Sequence, residues 1–79
     1  MHVVLYSRPG CHLCDEARAV LETERARTPF DLEELDIETD AALVKEYGIR
    51  IPVVTIDGVE RFEIAVDPRE LARLVGGSL

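Results

Sequence analysis

Cysteine, basic residues and long apolar runs are all scarce in this 79-residue sequence, and each scarcity argues against a class of protein. The two cysteines, Cys11 and Cys14, have a C-x-x-C spacing, which indicates redox or metal chemistry and not the disulfide framework of a secreted scaffold. Nine basic against 16 acidic residues give a net charge of −7, which disfavours nucleic acid or an anionic membrane surface as partner. No apolar run approaches the ~20 residues of a membrane span.

Length and composition predict one small domain over residues 1–79. A hydrophobic content of 47% with 32% charged residues is typical of a folded globular chain. The first predicted strand starts at His2 and leaves no room for a secretory signal, so we expect a cytoplasmic location. We also expect a monomer.

The hydrophobic pattern predicts four strands and three helices. The first half contains a buried strand over His2–Tyr6, a helix over Cys11–Arg27 and an edge strand over Phe30–Ile37, in which the apolar alternation is interrupted at Glu34 and suggests a bulge. A short helix then runs from Thr39 or Asp40 to Gly48. The second half contains strands Val53–Ile56 and Val59–Ile64 around an Asp57-Gly58 turn, and a helix that starts after Asp67 and ends at Gly76-Gly77. Pattern and length support a small α/β domain with a mixed sheet.

Apolar spacing also predicts which side chains are buried. One face of the first helix is expected to carry Leu13, Ala17, Val20 and Leu21. The charged segment 22–27 is expected to be solvated, and Tyr6 and Phe62 are expected in the core.

The cysteines lie where a strand gives way to a helix. The turn Ser7–Gly10 places Cys11 at the first helical position and Cys14 one turn later, on the same side and within reach of a disulfide. The unpaired N–H groups and positive dipole of a helix start favour a thiolate at Cys11, and Arg8 adds a positive charge. The negative charges of Asp15 and Glu16 in the first turn disfavour the thiolate. We therefore predict Cys11 as the nucleophile, with a pKa below the usual value of about 8.5, and Cys14 as the resolving thiol.

The segment Tyr6-Ser7-Arg8-Pro9-Gly10-Cys11, with Cys14 three positions on, resembles the active-site segment of glutaredoxins and glutaredoxin-like proteins of the thioredoxin superfamily. The resemblance implies the minimal thioredoxin fold, βαβαββα, with a four-stranded mixed sheet, three helices and the first and third strands central. Arg8 matches the basic residue that the family usually carries there. His12-Leu13 replaces the usual Pro-Tyr.

Ile51-Pro52 resembles the cis-proline motif that the family places opposite the cysteines. The resemblance implies a cis bond and a backbone at Ile51 that is free to pair with an extended substrate. The alternative is a trans proline at a strand start. Arg50 is either an anion contact or a solvated side chain. His12 either stabilises the Cys11 thiolate as a cation or contacts the partner from solvent.

The expected function is thiol–disulfide oxidoreduction, in which the Cys11–Cys14 pair reduces protein disulfides. The expected partners are protein disulfides and a reductase or dithiol donor, and no resident cofactor or metal is expected. Two alternatives stay open. One is a carrier of a metal or iron–sulfur cluster bound through Cys11, with other ligands from a second chain or a bound thiol. The other is an adaptor whose cysteines are idle.

Glutathione is expected to be a poor partner despite the resemblance. Typical glutaredoxins bind it with a Gly-Gly turn before the last helix, and this sequence has the segment 64–68 there. The glycines that allow close approach are missing, Pro68 lacks an N–H group, and Asp67 would occupy the cap and repel a carboxylate.

Overall fold

The structure is a computed structural model that describes residues 1–76. Its elements, in chain order, are β1 (His2–Ser7), α1 (His12–Arg27), β2 (Asp31–Asp36), a 3-10 turn (Ile37–Thr39), α2 (Ala41–Tyr47), β3 (Val53–Ile56), β4 (Val59–Glu63) and α3 (Pro68–Gly76). Three helices and one four-stranded mixed sheet confirm the expected minimal thioredoxin fold. The predicted helix end at Gly76-Gly77 lies partly outside the described residues, which stop at Gly76 within α3.

The strand order is β2-β1-β3-β4, so β1 and β3 are central as predicted. β1 runs parallel to β2 and antiparallel to β3, and β3 runs antiparallel to β4. Every residue of β3 is buried, as is the middle of β1, because helices cover both faces of the sheet. The chain leaves β1 at Ser7 and turns directly into the cysteine segment, so the site lies at the carboxyl end of a central strand.

The main core lies between the sheet and the pair α1 and α3. It is formed chiefly by Val3, Leu5, Ala17, Leu21, Val54, Ile56, Leu71 and Val75. Tyr6 lies on the opposite face of β1 from Leu5 and stacks on Tyr47 of α2, with ring centroids 4.3 Å apart. The prediction that Tyr6 is a core residue is therefore wrong, since Tyr6 is half-buried outside this cluster, whereas Phe62 packs against the cluster as expected.

α1 differs from its prediction at three points. It begins at His12, and Cys11 is its N-cap. Leu13 is 44% exposed, because Cys14 and not Leu13 occupies the buried side of the first turn. Glu24 is buried within the segment predicted to be solvated, and its nearest charge is Arg27, 3.5 Å away.

β2 is an edge strand as predicted, but it pairs with β1 without interruption, so the suggested bulge at Glu34 is wrong. The interruption of the apolar alternation at Glu34 has another cause. Leu32 and Glu34 lie on one face of the strand, where Leu32 packs against the core and the Glu34 side chain binds Arg18 of α1. The irregularity in the sheet lies between β3 and β4.

The remaining boundaries follow the predicted turn chemistry. Asp57 and Gly58 both have positive φ, as a tight hairpin turn requires. Asp40 caps α2 through a hydrogen bond from the Ala42 amide, and Gly48 ends that helix. β4 stops at Glu63, one residue earlier than predicted.

Over residues 1–76, no helix is both long enough and apolar enough to cross a membrane.

Candidate functional site

The two cysteines occupy unequal positions at the start of α1. Cys11 is half-buried and extended at the N-cap, and its Sγ lies 3.1 Å from the Cys14 amide that donates to it. Cys14 is fully buried. The two residues are joined as a disulfide, with Cα atoms 5.2 Å apart. The Cys11 sulfur is therefore partly accessible and the Cys14 sulfur is buried, and both lie at a helix start, where backbone amides favour an anion.

The turn before Cys11 depends on one glycine. Gly10 has φ +77°, a left-handed conformation that glycine adopts without steric cost. It follows Pro9, which cannot continue the β1 ladder. This local chemistry ends β1 and starts α1 within four residues, and so places Cys11 just beyond the carboxyl end of β1, a central strand.

Arg8 lies in this turn, where its guanidinium is paired with an acid. Its Nε is 3.5 Å from the Glu38 carboxylate of the 3-10 turn and makes no hydrogen bond within residues 1–76. The predicted interaction of Arg8 with a Cys11 thiolate must therefore compete with Glu38. Its role as a thiolate-stabilising residue stays a prediction.

A second arginine, Arg18, supports the site and was not predicted. Its guanidinium binds Glu34 of β2 at 2.7 Å and Asp15 at 2.8 Å, and Glu34 also accepts a hydrogen bond from the Ser7 hydroxyl at 2.7 Å. Arg18 holds the pKa of Glu34 below its usual value, with a smaller contribution from Ser7. Glu34 and Asp15 raise the pKa of Arg18. The three-residue spacing between Asp15 and Arg18 indicates an ion pair on one face of a helix, but no sequence pattern links Arg18 to Glu34 of β2.

The Ile51-Pro52 bond is cis, as expected. Pro52 is fully buried and Ile51 half-buried. The Ile64 amide donates to the carbonyls on both sides of Ile51, at 3.1 Å to Arg50 and 2.8 Å to Pro52. Within residues 1–76, neither the N–H nor the C=O of Ile51 has a hydrogen-bond partner of its own. A half-buried segment thus presents one unpaired donor and one unpaired acceptor.

Arg50 is held by three carboxylates instead of being free for an anion. It lies 2.9 Å from Glu60, 3.1 Å from Glu63 and 3.3 Å from Glu46, and its guanidinium is 5.3 Å from the centre of the Tyr47 ring. Arg50 lowers the pKa of Glu60 through their hydrogen bonds. Burial, with a contribution from Tyr6, raises the pKa of Tyr47. A carboxylate of a ligand would have to displace Glu46, Glu60 and Glu63 from Arg50.

Two further predictions concern His12 and the start of α3. His12 is exposed at the first helical position, which is compatible with both of its predicted roles. Asp67 caps α3 by accepting a hydrogen bond from the Arg69 amide at 3.0 Å, and Pro68 is the first helical residue. Both features match the expectation for segment 64–68.

The part of the chain that the structure describes brings together no group of three or more His, Cys, Asp or Glu side chains suited to a metal ion. A carrier role through Cys11 would therefore take its remaining ligands from another molecule, as the sequence had indicated.

Residues 2–76 match the family described as "Glutaredoxin-like domain (DUF836)". The chain belongs to this family. Its curated relatives include the uncharacterized protein Rv0508 of Mycobacterium tuberculosis H37Rv, 32% identical over 74 residues that cover 87% of this chain and 76% of the relative. The uncharacterized protein Mb0520 of Mycobacterium bovis shows the same values.

Solved structures share the fold of this glutaredoxin-like domain. The X-ray structure of XcR50 from X. campestris is 35% identical, with a TM-score of 0.78 and coverage of 96% of this chain and 99% of that one. The solution structure of Ne2328 from Nitrosomonas europaea is 29% identical, with a TM-score of 0.79 and coverage of 94% and 89%. A thioredoxin variant from Halobacterium salinarum is 25% identical, with a TM-score of 0.65 and coverage of 94% and 70%. Family and neighbours are consistent with redox chemistry at the C-x-x-C pair.

Proposed function

We propose that this glutaredoxin-like domain is a thiol–disulfide oxidoreductase that reduces protein disulfides. One observation carries the proposal: Cys11 is partly exposed at a helix N-cap, while Cys14 is fully buried within disulfide distance of it. This asymmetry is what a two-thiol mechanism needs, because one thiol must meet the substrate and the other must wait for the intermediate. The positive dipole end and the N–H groups of a helix start favour a thiolate at Cys11.

The proposed cycle transfers two electrons to the substrate. The Cys11 thiolate attacks one sulfur of a substrate disulfide, and the other substrate sulfur leaves as a thiolate that takes up a proton. The Cys14 thiol then loses its proton, attacks the Cys11 sulfur and displaces the second substrate sulfur. The products are a substrate dithiol and the Cys11–Cys14 disulfide. An external dithiol or reductase supplies two electrons to reopen that disulfide.

Ile51 is the proposed binding residue for the substrate backbone. Its unpaired N–H and C=O can form two hydrogen bonds with an extended chain, as at the edge of a sheet. Arg8 is the proposed cation beside the Cys11 thiolate. His12 and Arg50 are proposed as contacts at the margin of the bound substrate.

Protein disulfides are proposed over glutathione as partners. The Asp67 side chain is bound to the Arg69 amide, Pro68 has no N–H group, and Arg50 is engaged with Glu46, Glu60 and Glu63. The Arg69 amide and the Arg50 guanidinium, two groups that could bind a glutathione carboxylate, are thus already occupied. A thioredoxin-reductase-type enzyme or an unidentified dithiol donor would then regenerate the thiols. The cytoplasmic location and the monomeric state stay predictions.

The test is insulin reduction by the wild type and by single Cys11→Ser and Cys14→Ser variants, with dithiothreitol as the terminal reductant. The proposal requires clear acceleration by the wild type and none by Cys11→Ser. Equal rates for the wild type and Cys11→Ser would refute it.

Two parallel coupled assays identify the reductant. One uses thioredoxin reductase, and the other uses glutathione with glutathione reductase and a small disulfide. Turnover in the second assay alone would show that the proposed preference against glutathione is wrong.

A further inference from the structure

Ile64 has a backbone conformation that an isoleucine rarely adopts. Among residues 1–76, the non-glycine residues with positive φ are Asp57 at 51° and Ile64 at 74°. Asp57 lies in a hairpin turn, where a left-handed aspartate is common. At Ile64 the branched Cβ crowds the backbone, so the conformation is a steric outlier. Such outliers persist only where the surrounding structure enforces them, and they concentrate at ligand-binding segments.

The surrounding structure that enforces this conformation is the cis-proline segment. The Ile64 amide is shared between the carbonyls of Arg50 and Pro52, so Ile64 is held directly across from Ile51. The Ile64 amide thereby binds the two carbonyls next to Ile51, while the N–H and C=O of Ile51 itself stay available for a substrate. The position of Ile64 is thus tied to the segment proposed to bind the substrate backbone.

The Ile64 side chain points toward the cysteine helix and stays partly exposed. It lines a shallow groove of about 80 Å³ together with Leu13, Glu16, Ala17, Val20 and Val66. Ile64 is 42% exposed and Leu13 44% exposed, so two large apolar side chains form the open rim of this groove. Leu13 lies between the two cysteines in the chain. The groove is therefore lined both by Leu13, from the cysteine segment, and by Ile64, whose amide binds the carbonyls on either side of Ile51.

We propose that Ile64 is a specificity-determining residue that, with Leu13, binds the aliphatic side chain of a residue next to the attacked cysteine in a polypeptide disulfide. This inference rests on the proposed function and names the substrate feature that the site selects. An extended substrate paired with Ile51 carries a neighbouring side chain toward Ile64, because the Ile64 amide is bound to the carbonyls of Arg50 and Pro52 on either side of Ile51. The groove has space for one side chain and contains one charged residue, Glu16, so an apolar neighbour is favoured and an acidic one is rejected.

The experiment compares two disulfide-linked peptides that differ only in the residue next to the cysteine, leucine in one and serine in the other. Wild type, Ile64→Gly and Val59→Gly are measured. Val59 is a matched control, since it is a half-exposed β-branched residue of β4, the strand that ends just before Ile64, and lies at the end next to the hairpin turn. The readouts are kcat and KM for each peptide, the rate of Cys11 alkylation, and Tm.

We expect the wild type and Val59→Gly to favour the leucine peptide about tenfold in kcat/KM, through KM, as is usual for one apolar contact. Ile64→Gly should reduce both peptides at equal kcat/KM, with Cys11 alkylation unchanged. Val59→Gly should lower Tm, whereas Ile64→Gly should not, because glycine adopts φ +74° freely.

Retention of the leucine preference by Ile64→Gly overturns the proposal. So does a loss of Tm in Ile64→Gly equal to that of Val59→Gly, because Ile64 would then be a structural residue only. Wild-type self-association that Ile64→Gly abolishes, without any peptide preference, would assign the groove to a second copy of the chain and overturn it also. If the wild type reduces neither peptide, the proposed function fails, and this inference fails with it; reduction of both at equal rates contradicts the inference alone.

Discussion

Arg18 and Glu34 form a two-point ion pair that joins α1 to the edge strand β2, with Nε–Oε1 at 2.7 Å and Nη2–Oε2 at 2.5 Å. The same Glu34 accepts a hydrogen bond from the hydroxyl of buried Ser7, and the same Arg18 binds Asp15 in the first turn of α1. The Asp15 amide in turn donates to the Cys11 carbonyl at 3.2 Å. The strand end before the cysteine turn and the helix that follows it are therefore fixed to each other by side chains, as well as by packing.

The first prediction concerns the contribution of this ion pair to stability. Arg18→Gln should lower the free energy of unfolding by about 1 kcal/mol, because it breaks bonds to two partners, of which Glu34 is partly shielded from water and Asp15 is exposed. For a chain of this size, the fall in Tm should be about 4–8 °C. Arg73→Gln is the matched control, since within residues 1–76 Arg73 pairs with Glu70 on its own helix, where both groups are exposed, and its loss should have a smaller effect. Equal losses in thermal unfolding of the two variants would contradict this prediction.

The second prediction concerns pH. Because folding lowers the pKa of Glu34, its contribution to stability is fully present above the usual carboxyl pKa of about 4.3. That contribution is lost as the pH falls through the lower pKa of the folded state. Urea unfolding at pH values between about 6 and 3 should therefore show a smaller fall in stability for Glu34→Gln than for the wild type. Parallel pH profiles would show that Glu34 contributes nothing specific.

The third prediction separates Arg8 from its acidic partner. Arg8→Gln should raise the pKa of reduced Cys11 by less than about one unit, because the lost charge is already paired with Glu38. Glu38→Gln should lower that pKa by releasing Arg8. The measurement is the pH dependence of Cys11 alkylation, carried out with Cys14→Ser as the common background. If the Cys11 pKa falls in Arg8→Gln and rises in Glu38→Gln, Arg8 does not stabilise the Cys11 thiolate.

The fourth prediction concerns the three carboxylates around Arg50. The double variant Glu60→Gln and Glu63→Gln leaves Arg50 with Glu46, so turnover with glutathione should rise several-fold at low salt and fall as salt increases. A control with Glu22→Gln and Glu33→Gln removes the same charge from residues outside this cluster. If both double variants gain equally, the effect arises from net charge and not from Arg50.

Much of the fold could be predicted from local sequence signals. The order of strands and helices, the Asp57-Gly58 turn and the Asp67-Pro68 helix start each depend on neighbours in the chain, and the structure confirms each of them. The C-x-x-C pair at a helix start also followed from local chemistry, apart from the shift of Cys11 from the first helical residue to the N-cap. The cis geometry of Ile51-Pro52 came from the resemblance.

The features that escaped prediction depend on contacts between distant parts of the chain. Arg18 and Glu34 are 16 positions apart, and no periodicity relates them. Leu13 fits the apolar stripe by spacing, but the buried place in the first turn is taken by Cys14. Ile64 carries no sequence signal for a positive φ, since the tertiary hydrogen bonds to Arg50 and Pro52 impose it. Arg50 could be recognised as a charge near the site, while its three acidic partners come from α2 and β4.

The most direct test of the central claim, that Cys11 attacks and Cys14 resolves, is mass spectrometry of mixed disulfides formed by the two single cysteine variants with a disulfide-bonded substrate protein. Cys14→Ser should accumulate a covalent complex through Cys11, because the buried thiol that would release it is gone. Cys11→Ser should accumulate none, since Cys14 is fully buried. A complex that forms through Cys14 and not through Cys11 would contradict the account.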